Sequence, residues 1–310
     1  MGTRWSTTSC STRNDRTAGG SRDRPARRGV VLLVEGSVLS PPRLRLNTLS
    51  GRGDAPVLVL GPSLGTAAEV LWGEVASELR HQYRVMTWDL PGHAHAPAAI
   101  ASFHVADIAD AVHQAAQEHG VHRYAYAGVS FGGAVGLCLA LRHPDDVLSL
   151  AVIASGGNLG SPQEWRERAQ LVRERGVSAV VARSDARWFA PTTPRRGRKP
   201  REALLEGLRE TDPESYAQCC LALADYDVRS ELTRILAPTV VIWGAHDTVA
   251  PEMVAREVAN GVPRGTAIRM QHVAHQPPFE DPVETAWLLR EHLTGTLGGP
   301  VDSMRRRRHE

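Results

Sequence analysis

The sequence has almost no lysine: Lys199 is the only one among 36 basic residues, so arginine carries nearly all of the positive charge. Acidic residues number 34, and the formal net charge is +2. We interpret the shortage of lysine as a compositional bias and not as a binding surface. So balanced a charge argues against a dedicated nucleic-acid binder.

Cysteine is scarce as well. The four cysteines are Cys10, Cys138, Cys219 and Cys220. They show no CxxC or other metal-ligand spacing, and the adjacent Cys219 and Cys220 cannot easily bridge each other. The sequence therefore predicts reduced thiols, a cytoplasmic setting and no metal or other cofactor.

Long apolar runs are also missing, since none approaches the roughly 18 residues that span a bilayer. We therefore expect a soluble protein with no membrane partner. The 310 residues, 42% of them hydrophobic, suffice for one large α/β domain with an insertion or for two ordinary domains.

Both ends of the chain read as extensions. The first 28 residues are rich in Ser, Thr, Gly and Arg and have little to bury, which is typical of a disordered tail. A transit peptide fits less well than a solvated extension or a start codon assigned too early. The sequence predicts a disordered extension over 1–41 and a flexible tail over 298–310.

Strand and helix patterns alternate between these ends. Apolar strand runs are followed by helical periodicity, and this order predicts a mainly parallel sheet with right-handed crossovers. Strands are expected at 44–48 (an edge strand), 57–60, 84–88, 125–129, 147–154, 239–243 and 266–270. Helices are expected at 67–79, 108–119, 134–141 and 282–297.

The alternation breaks between 156 and 235. This segment is charged and helical, with helices expected at 162–175, 177–188, 201–209 and 213–224. A helical insertion within an alternation of strands and helices is typical of a lid. The sequence thus predicts an α/β core over 42–155 and 236–297, with a helical lid over 156–235.

The motif Gly-Val-Ser-Phe-Gly at 128–132 stands where a strand passes into a helix. This is the context of a nucleophile elbow, in which Ser130 adopts a strained backbone conformation. Gly128 and Gly132 are then required because a Cβ at either position would collide with the neighbouring strand or helix. Alone, such a motif is more often a loop than a catalytic site. A catalytic role for Ser130 therefore requires that the rest of the chain supply an acid and a base.

Candidates for both follow at the ends of later strands, in the order of this elbow chemistry. Asp247 comes after the strand at 239–243, and His275 lies in the loop before the last helix. We predict Ser130 as nucleophile, His275 as base and Asp247 as the acid that orients it. His272 competes for the base role, and the Pro-Phe-Glu-Asp-Pro run after His275 favours His275. We interpret His246 as structural.

An oxyanion hole needs two N–H groups aimed at the developing negative charge. We predict the backbone N–H groups of Phe131 and Leu64. The loop at 61–66 also reads as a plain helix entry, capped by Thr66 or Ser63. His93 and His95 lack further ligands at metal spacing, so they read as residues of a surface loop and not as a metal site.

The motifs Gly-Pro-Ser-Leu-Gly-Thr at 61–66, Trp-Asp-Leu-Pro-Gly-His at 88–93 and Gly-Val-Ser-Phe-Gly-Gly at 128–133, with Trp72, resemble the α/β-hydrolase family. Within that family they resemble the 3-oxoadipate enol-lactonases, as do the lid segments 186–191 and 212–220. The resemblance covers about residues 44–297. Two features depart from it: Gly-His-Ala-His-Ala at 92–96 replaces the usual Gly-His-Gly-x-Ser, and the run at 194–200 is unusually basic.

The resemblance implies an α/β-hydrolase fold and the hydrolysis of 3-oxoadipate enol-lactone to 3-oxoadipate. It makes Trp72, Trp188 and Phe189 candidates for the wall of the substrate pocket, although they could equally be lid core, and Arg187 a candidate clamp for a substrate carboxylate. The partner is then a small-molecule lactone or ester. A carboxylesterase or a lactonase with another substrate is the alternative, followed by a hydrolase-fold binding protein without catalysis.

Overall fold

The structure is a computed structural model that describes residues 42–191 and 198–297. The predicted extension 1–41, the tail 298–310 and residues 194–197 of the basic run lie outside the described residues. The strands are β1 (Asn47–Ser50), β2 (Val57–Gly61), β3 (Arg84–Thr87), β4 (Tyr124–Val129), β5 (Val147–Ile153), β6 (Thr239–Gly244) and β7 (Gly265–Met270). The helices are α1 (Ala68–Leu79), α2 (Val105–Glu118), α3 (Phe131–Arg142), α4 (Pro162–Arg175), α5 (Ser178–Trp188), α6 (Arg198–Glu210), α7 (Pro213–Ala224), α8 (Glu252–Gly261), α9 (Pro277–Glu280) and α10 (Pro282–Leu297), with a 3-10 turn at Arg229–Arg234.

The strands form one seven-stranded sheet in the order β1-β3-β2-β4-β5-β6-β7. β1 runs antiparallel to β3, and every other neighbouring pair is parallel. The central strand β4 is buried along its whole length, as expected for a strand covered on both faces. Because parallel strands end at the same edge, the segments that follow β2, β4, β6 and β7 emerge together there. The predicted parallel sheet flanked by helices is confirmed.

The edge strand is displaced from its predicted position at 44–48. β3 ends at Thr87, which pairs with Asn47, so the residues before Asn47 have no strand beside them. Leu44 and Leu46 are buried in the core without belonging to the ladder. The apolar alternation thus located the buried side chains correctly but placed the strand too early.

The helix α8 has no counterpart among the sequence-based expectations. Its buried side is made of Ala255, Val258 and Ala259, which form too weak an apolar stripe to be noticed in the sequence. It supplies the crossover between the parallel strands β6 and β7. In the described ranges, no helix has both the length and the apolar character needed to cross a membrane.

Four helices, α4 to α7, lie between β5 and β6, and we call residues 156–235 the insert. α4 and α7 pack on each other. α7 is also joined to the loop after β3, because the Asp212 N–H donates to the Gly92 carbonyl (2.9 Å) and the Ala99 N–H donates to the Ser215 hydroxyl (2.9 Å). The sequence assigns the insert to a lid, and that role stays a prediction.

The loop at 91–96 corrects one expectation. His93 is fully buried, stacks on Tyr216 of α7 at 6.3 Å between ring centroids, and contacts the Pro91 carbonyl through Nδ1 (2.9 Å). It is therefore a packed residue beneath the insert and not part of a surface loop. Burial lowers the pKa of His93 to about 4, so it is neutral at physiological pH.

Ala94, in the same loop, has a φ of 46°. This is the left-handed region, which costs an alanine roughly 1–2 kcal/mol. The position is also the one at which the sequence departs from the glycine of the resembled motif. The departure therefore stores local strain in the backbone beside the insert.

Ala94→Gly is expected to raise the free energy of unfolding by about 0.5–1 kcal/mol, because glycine adopts a positive φ without a Cβ clash. Ala182→Gly, in an exposed position of α5, is the control and is expected to lower the same free energy by about 1 kcal/mol. Urea denaturation of both variants measures the two changes. If both substitutions lowered stability alike, Ala94 would not be strained.

Candidate active site

Ser130 lies between the last residue of β4 and the first residue of α3. Its φ of 54° and ψ of −112° are strained for a residue with a side chain. Strand β5 and the segment after it hold this conformation, since the Ser130 N–H donates to the Ile153 carbonyl (2.9 Å) and the Ser130 carbonyl accepts from the Ser155 hydroxyl (2.7 Å). The geometry is that of the predicted nucleophile elbow.

The two glycines around Ser130 permit the close approach of α3 to the sheet. A Cβ on Gly128 would lie 2.2 Å from the Gly132 carbonyl oxygen, and a Cβ on Gly132 would lie 2.6 Å from the Gly61 carbonyl carbon. Both distances are far inside van der Waals contact. The sequence-based explanation of these glycines is therefore confirmed, with α3 and β2 as the obstructing elements.

Asp247 follows β6, and His275 lies in the loop between β7 and α9. The His275 Nδ1 and the Asp247 Oδ2 are 2.9 Å apart, and both side chains are buried. The other carboxylate oxygen, Oδ1, accepts from the Val249 N–H (2.7 Å) and the Ala250 N–H (3.1 Å). Both oxygens of the Asp247 carboxylate are thus held in place.

Burial acts to raise the pKa of Asp247, but the neighbouring His275 and the two backbone N–H groups outweigh it, so the pKa lies below its usual value. An ionised carboxylate only accepts hydrogen bonds, so the proton between the two residues sits on His275 Nδ1. The Nε2 atom of a neutral His275 is then left with its lone pair. A ring in this tautomer can act as a general base.

Ser130 and His275 line the same cavity, whereas the competing His272 is exposed. The structure therefore brings His275, and not His272, to Asp247. No hydrogen bond joins the Ser130 hydroxyl to the His275 ring, although both residues lie in the described part of the chain. Catalytic hydrogen bonds often tighten only when substrate is bound.

The two predicted oxyanion donors lie on either side of this elbow. Leu64 lines the cavity, and Phe131 is the first residue of α3. Among the described residues, neither backbone N–H has a hydrogen-bond acceptor. The loop at 61–66 is fixed to α3, because the Gly132 N–H donates to the Pro62 carbonyl (2.9 Å). Their role as oxyanion donors stays a prediction.

The alternative interpretation of this loop as a capped helix entry needs correction. α1 begins after Ala67 without a side-chain cap from its own loop. The Ala68 N–H donates instead to Asp89 Oδ1 (2.8 Å), which comes from the end of β3. The Thr66 hydroxyl donates to the Ser63 carbonyl (2.9 Å), so it shapes the turn and does not cap the helix.

Two of the four predicted pocket residues line the cavity, and two do not. Arg187 and Trp188 are among its lining residues. Trp72 is fully buried, and its Nε1 donates to the Gly61 carbonyl (3.0 Å), so it supports β2 from within the core. Phe189 is buried against Phe279, 5.6 Å away between ring centroids. Trp72 and Phe189 are thus corrected to packing residues.

The cavity encloses an empty volume of about 730 Å³ when the open solvent at its mouth is included. Residues of the insert that the sequence analysis did not single out form much of its wall: Leu159, Gly160, Glu164, Trp165, Arg168, Arg183, Ser184 and Tyr216. Trp165 and Arg168 are three positions apart on α4 and hence share a face. That spacing indicates from the sequence that the two side chains lie together. It does not indicate whether their face of α4 points toward the cavity.

The cavity wall carries three arginines and one carboxylate, that of Glu164. Arg168 donates through Nη2 to the Ser184 hydroxyl (2.9 Å) and to the Tyr216 hydroxyl (2.5 Å), while its buried Nε has no partner among the described residues. Arg183 and Arg187 share the wall with it. Burial and the charges of Arg183 and Arg168 lower the pKa of Arg187. In the described ranges, none of these three arginines forms a salt bridge with a carboxylate.

Residues that could hold a metal do not cluster in the described ranges, where no group of three or more His, Cys, Asp or Glu side chains has suitable geometry. The thiols of Cys138, Cys219 and Cys220 are free and buried. Burial raises the pKa of Cys138 and of Cys220 to about 12, so these thiols stay protonated and are poor nucleophiles.

Comparison with known proteins agrees with this architecture. A family model for the alpha/beta hydrolase fold matches residues 56–175. The 3-oxoadipate enol-lactonase 2 of Acinetobacter baylyi is 32% identical over 199 residues, which are 64% of this chain and 74% of that protein. A pimeloyl-[acyl-carrier protein] methyl ester esterase of Vibrio cholerae is 28% identical over 74% of this chain and 90% of its own.

Among solved structures, the enol-lactonase from Burkholderia xenovorans is 28% identical with a TM-score of 0.77, covering 81% of this chain and 96% of its own. The resemblance inferred from the motifs is therefore confirmed over nearly the full length of that structure. Because sequence and fold agree with these hydrolases over most of their length, the chain belongs to the α/β-hydrolase family.

Proposed function

We propose that this chain is a serine-dependent hydrolase that opens 3-oxoadipate enol-lactone to 3-oxoadipate. The observation that carries the proposal is the cavity itself, where Ser130 and the Asp247–His275 pair meet a wall of arginines. The relatives named enol-lactonases support the substrate, and the relative named an esterase supports the same chemistry on another ester.

The acylation step uses Ser130 and His275. The Ser130 oxygen attacks the lactone carbonyl carbon while its proton passes to His275 Nε2. The ring C–O bond then breaks, and its electron pair leaves on the ring oxygen as an enolate. The enolate takes the proton from His275 and tautomerises to the ketone. Ring opening therefore leaves an acyl group on Ser130 and a neutral His275.

Water completes the reaction. It attacks the acyl carbon and gives a proton to His275, after which the Ser130 oxygen leaves and takes that proton. In both halves, negative charge develops on the former carbonyl oxygen. The unengaged N–H groups of Leu64 and Phe131 are the proposed donors to it. Asp247 stabilises the imidazolium that forms twice in each cycle.

The arginines support an anionic substrate. 3-Oxoadipate enol-lactone carries a carboxylate beside its lactone ring, and a carboxylate would offset the mutual repulsion of Arg168, Arg183 and Arg187. Arg168 has an unengaged Nε in addition to its engaged Nη2. We therefore add Arg168 to Arg187 as a proposed clamp for the substrate carboxylate. A neutral acyl ester would gain nothing from either side chain.

The purified enzyme is expected to hydrolyse the enol-lactone with a kcat/KM at least about 100-fold above that for p-nitrophenyl acetate, because only the lactone uses the cationic wall. Ser130→Ala is expected to lower both activities by at least about 1,000-fold. Absorbance assays on the two substrates measure this. A preference for p-nitrophenyl acetate would favour a general carboxylesterase, and full activity of Ser130→Ala would disprove the assignment of the nucleophile.

The two competing histidines give a matched pair of variants. His275→Ala is expected to lower the kcat for p-nitrophenyl acetate by at least about 1,000-fold, because the general base is lost. His272→Ala is expected to change kcat by less than about twofold, since this exposed side chain does not reach Asp247. The reverse order of losses would move the base to His272.

Arg168→Met is expected to lower kcat/KM for the enol-lactone by about 10- to 100-fold and to change that for p-nitrophenyl acetate by less than about threefold, because only the lactone bears a carboxylate. The control is Arg166→Met on the same helix, where Arg166 pairs with Asp225 (2.8 Å) outside the cavity. Equal losses on both substrates would show that Arg168 supports the fold and does not select for charge.

A further inference from the structure

One carboxylate holds the backbone on both sides of His275. Glu280 Oε1 accepts from the Ala274 N–H (2.7 Å) and from the Gln276 N–H (3.2 Å). Glu280 is the last residue of the short helix α9, and its backbone N–H donates to the Gln276 carbonyl (2.9 Å). The peptide units that flank His275 are therefore fixed by a side chain five residues further along.

The same carboxylate reaches the insert. Glu280 Oε2 accepts from the Ala190 N–H (2.7 Å), just beyond the end of α5. Next to it, the His275 N–H donates to the Trp188 carbonyl (3.2 Å). The segment 188–190 and the segment 274–276 are thus linked at two places. Trp188 belongs to the cavity wall, so this link joins the wall to the loop that carries His275.

Asp247 and Glu280 constrain His275 in different ways. Asp247 holds the ring through Nδ1, whereas Glu280 holds the backbone from which the ring extends. Misplacing a catalytic group by about 1 Å costs on the order of 100-fold in rate. A carboxylate that holds the backbone on both sides of His275 therefore bears on its placement without touching the reacting atoms.

We propose that Glu280 is a positioning residue through which the segment 188–190 of the insert sets the place of His275. This inference rests on the proposed role of His275 as general base. It does not depend on the enol-lactone as substrate. The bond from Ala190 to Oε2 is the link that distinguishes it from simple support of the loop by Oε1.

Glu280→Gln tests the link with the shape of the side chain retained. An amide has one oxygen and one NH₂ group, so it cannot accept from Ala190 and from the 274–276 backbone together. The expected result is a kcat for p-nitrophenyl acetate lowered by about 10- to 100-fold, with KM changed by less than about threefold. Glu284→Gln, on the neighbouring helix α10, is the control and should leave both constants unchanged. A normal kcat for Glu280→Gln, whatever its thermal stability, would overturn the proposal.

Ala190→Pro removes the link from the other side, because proline has no N–H. The backbone at Phe189, with φ of −122° and ψ of 136°, suits a residue that precedes proline. The double variant that combines Ala190→Pro with Glu280→Gln should lose no more kcat than Glu280→Gln alone, since both substitutions remove the hydrogen bond between Ala190 and Glu280. Independent, multiplying losses would show that Glu280 acts without the insert and would overturn the coupling.

A spectroscopic readout keeps this test separate from the proposed function. The His275 Nδ1–H proton, held by Asp247, can be followed by NMR without any substrate. Its resonance should shift or broaden in Glu280→Gln and stay unchanged in Glu284→Gln. An unchanged resonance in both variants would overturn the positioning role, even if no ester or lactone proved to be a substrate. A resonance shifted only in Glu280→Gln would support the positioning role, again whether or not an ester or lactone proved to be a substrate.

Discussion

The close approach of α3 to the centre of the sheet is the constraint on which the site depends. It is possible because Gly128 and Gly132 leave no Cβ between α3, β4 and β2. This contact holds Ser130 in a conformation that an isolated turn would not keep, and it presses the loop at 61–66 against the start of α3 through the Gly132–Pro62 hydrogen bond. The proposed nucleophile and both candidate oxyanion donors are thus placed by one close contact between backbones.

The sequence revealed this part of the molecule well, because its determinants are local. Ser130, Asp247 and His275 each lie in the segment that follows a strand, and the parallel sheet brings strand ends to one edge. The cavity wall was much harder to predict. Whether Trp165 and Arg168 face the site depends on how α4 packs, while Trp72 and Phe189 proved to be core residues because aromatic side chains serve packing and binding equally. Glu280 entered the sequence analysis only as part of the Pro-Phe-Glu-Asp-Pro run, which does not reveal its hydrogen bonds to distant backbone N–H groups.

The insert therefore contributes in two physical ways. It places three arginines and the carboxylate of Glu164 in the cavity wall. Its segment 188–190 is hydrogen-bonded to His275 and to Glu280. The core supplies Ser130 and Asp247, with geometry fixed by strands and glycines. The cavity wall and the placement of His275 are consequently not separable into insert and core, because Trp188 lines the cavity and its carbonyl also accepts from the His275 N–H.

Asp247 divides its two oxygens between two tasks. One oxygen orients His275, and the other binds the Val249 and Ala250 N–H groups and so folds the loop that leads to α8. The proposed acid is therefore also a structural part of its own loop. In a lineage that descended from this chain and no longer needed catalysis, Ser130 and His275 would be free to drift early, whereas Asp247 would persist under selection for folding. A surviving aspartate at this position is then poor evidence of activity, and the serine and histidine are the residues that report it.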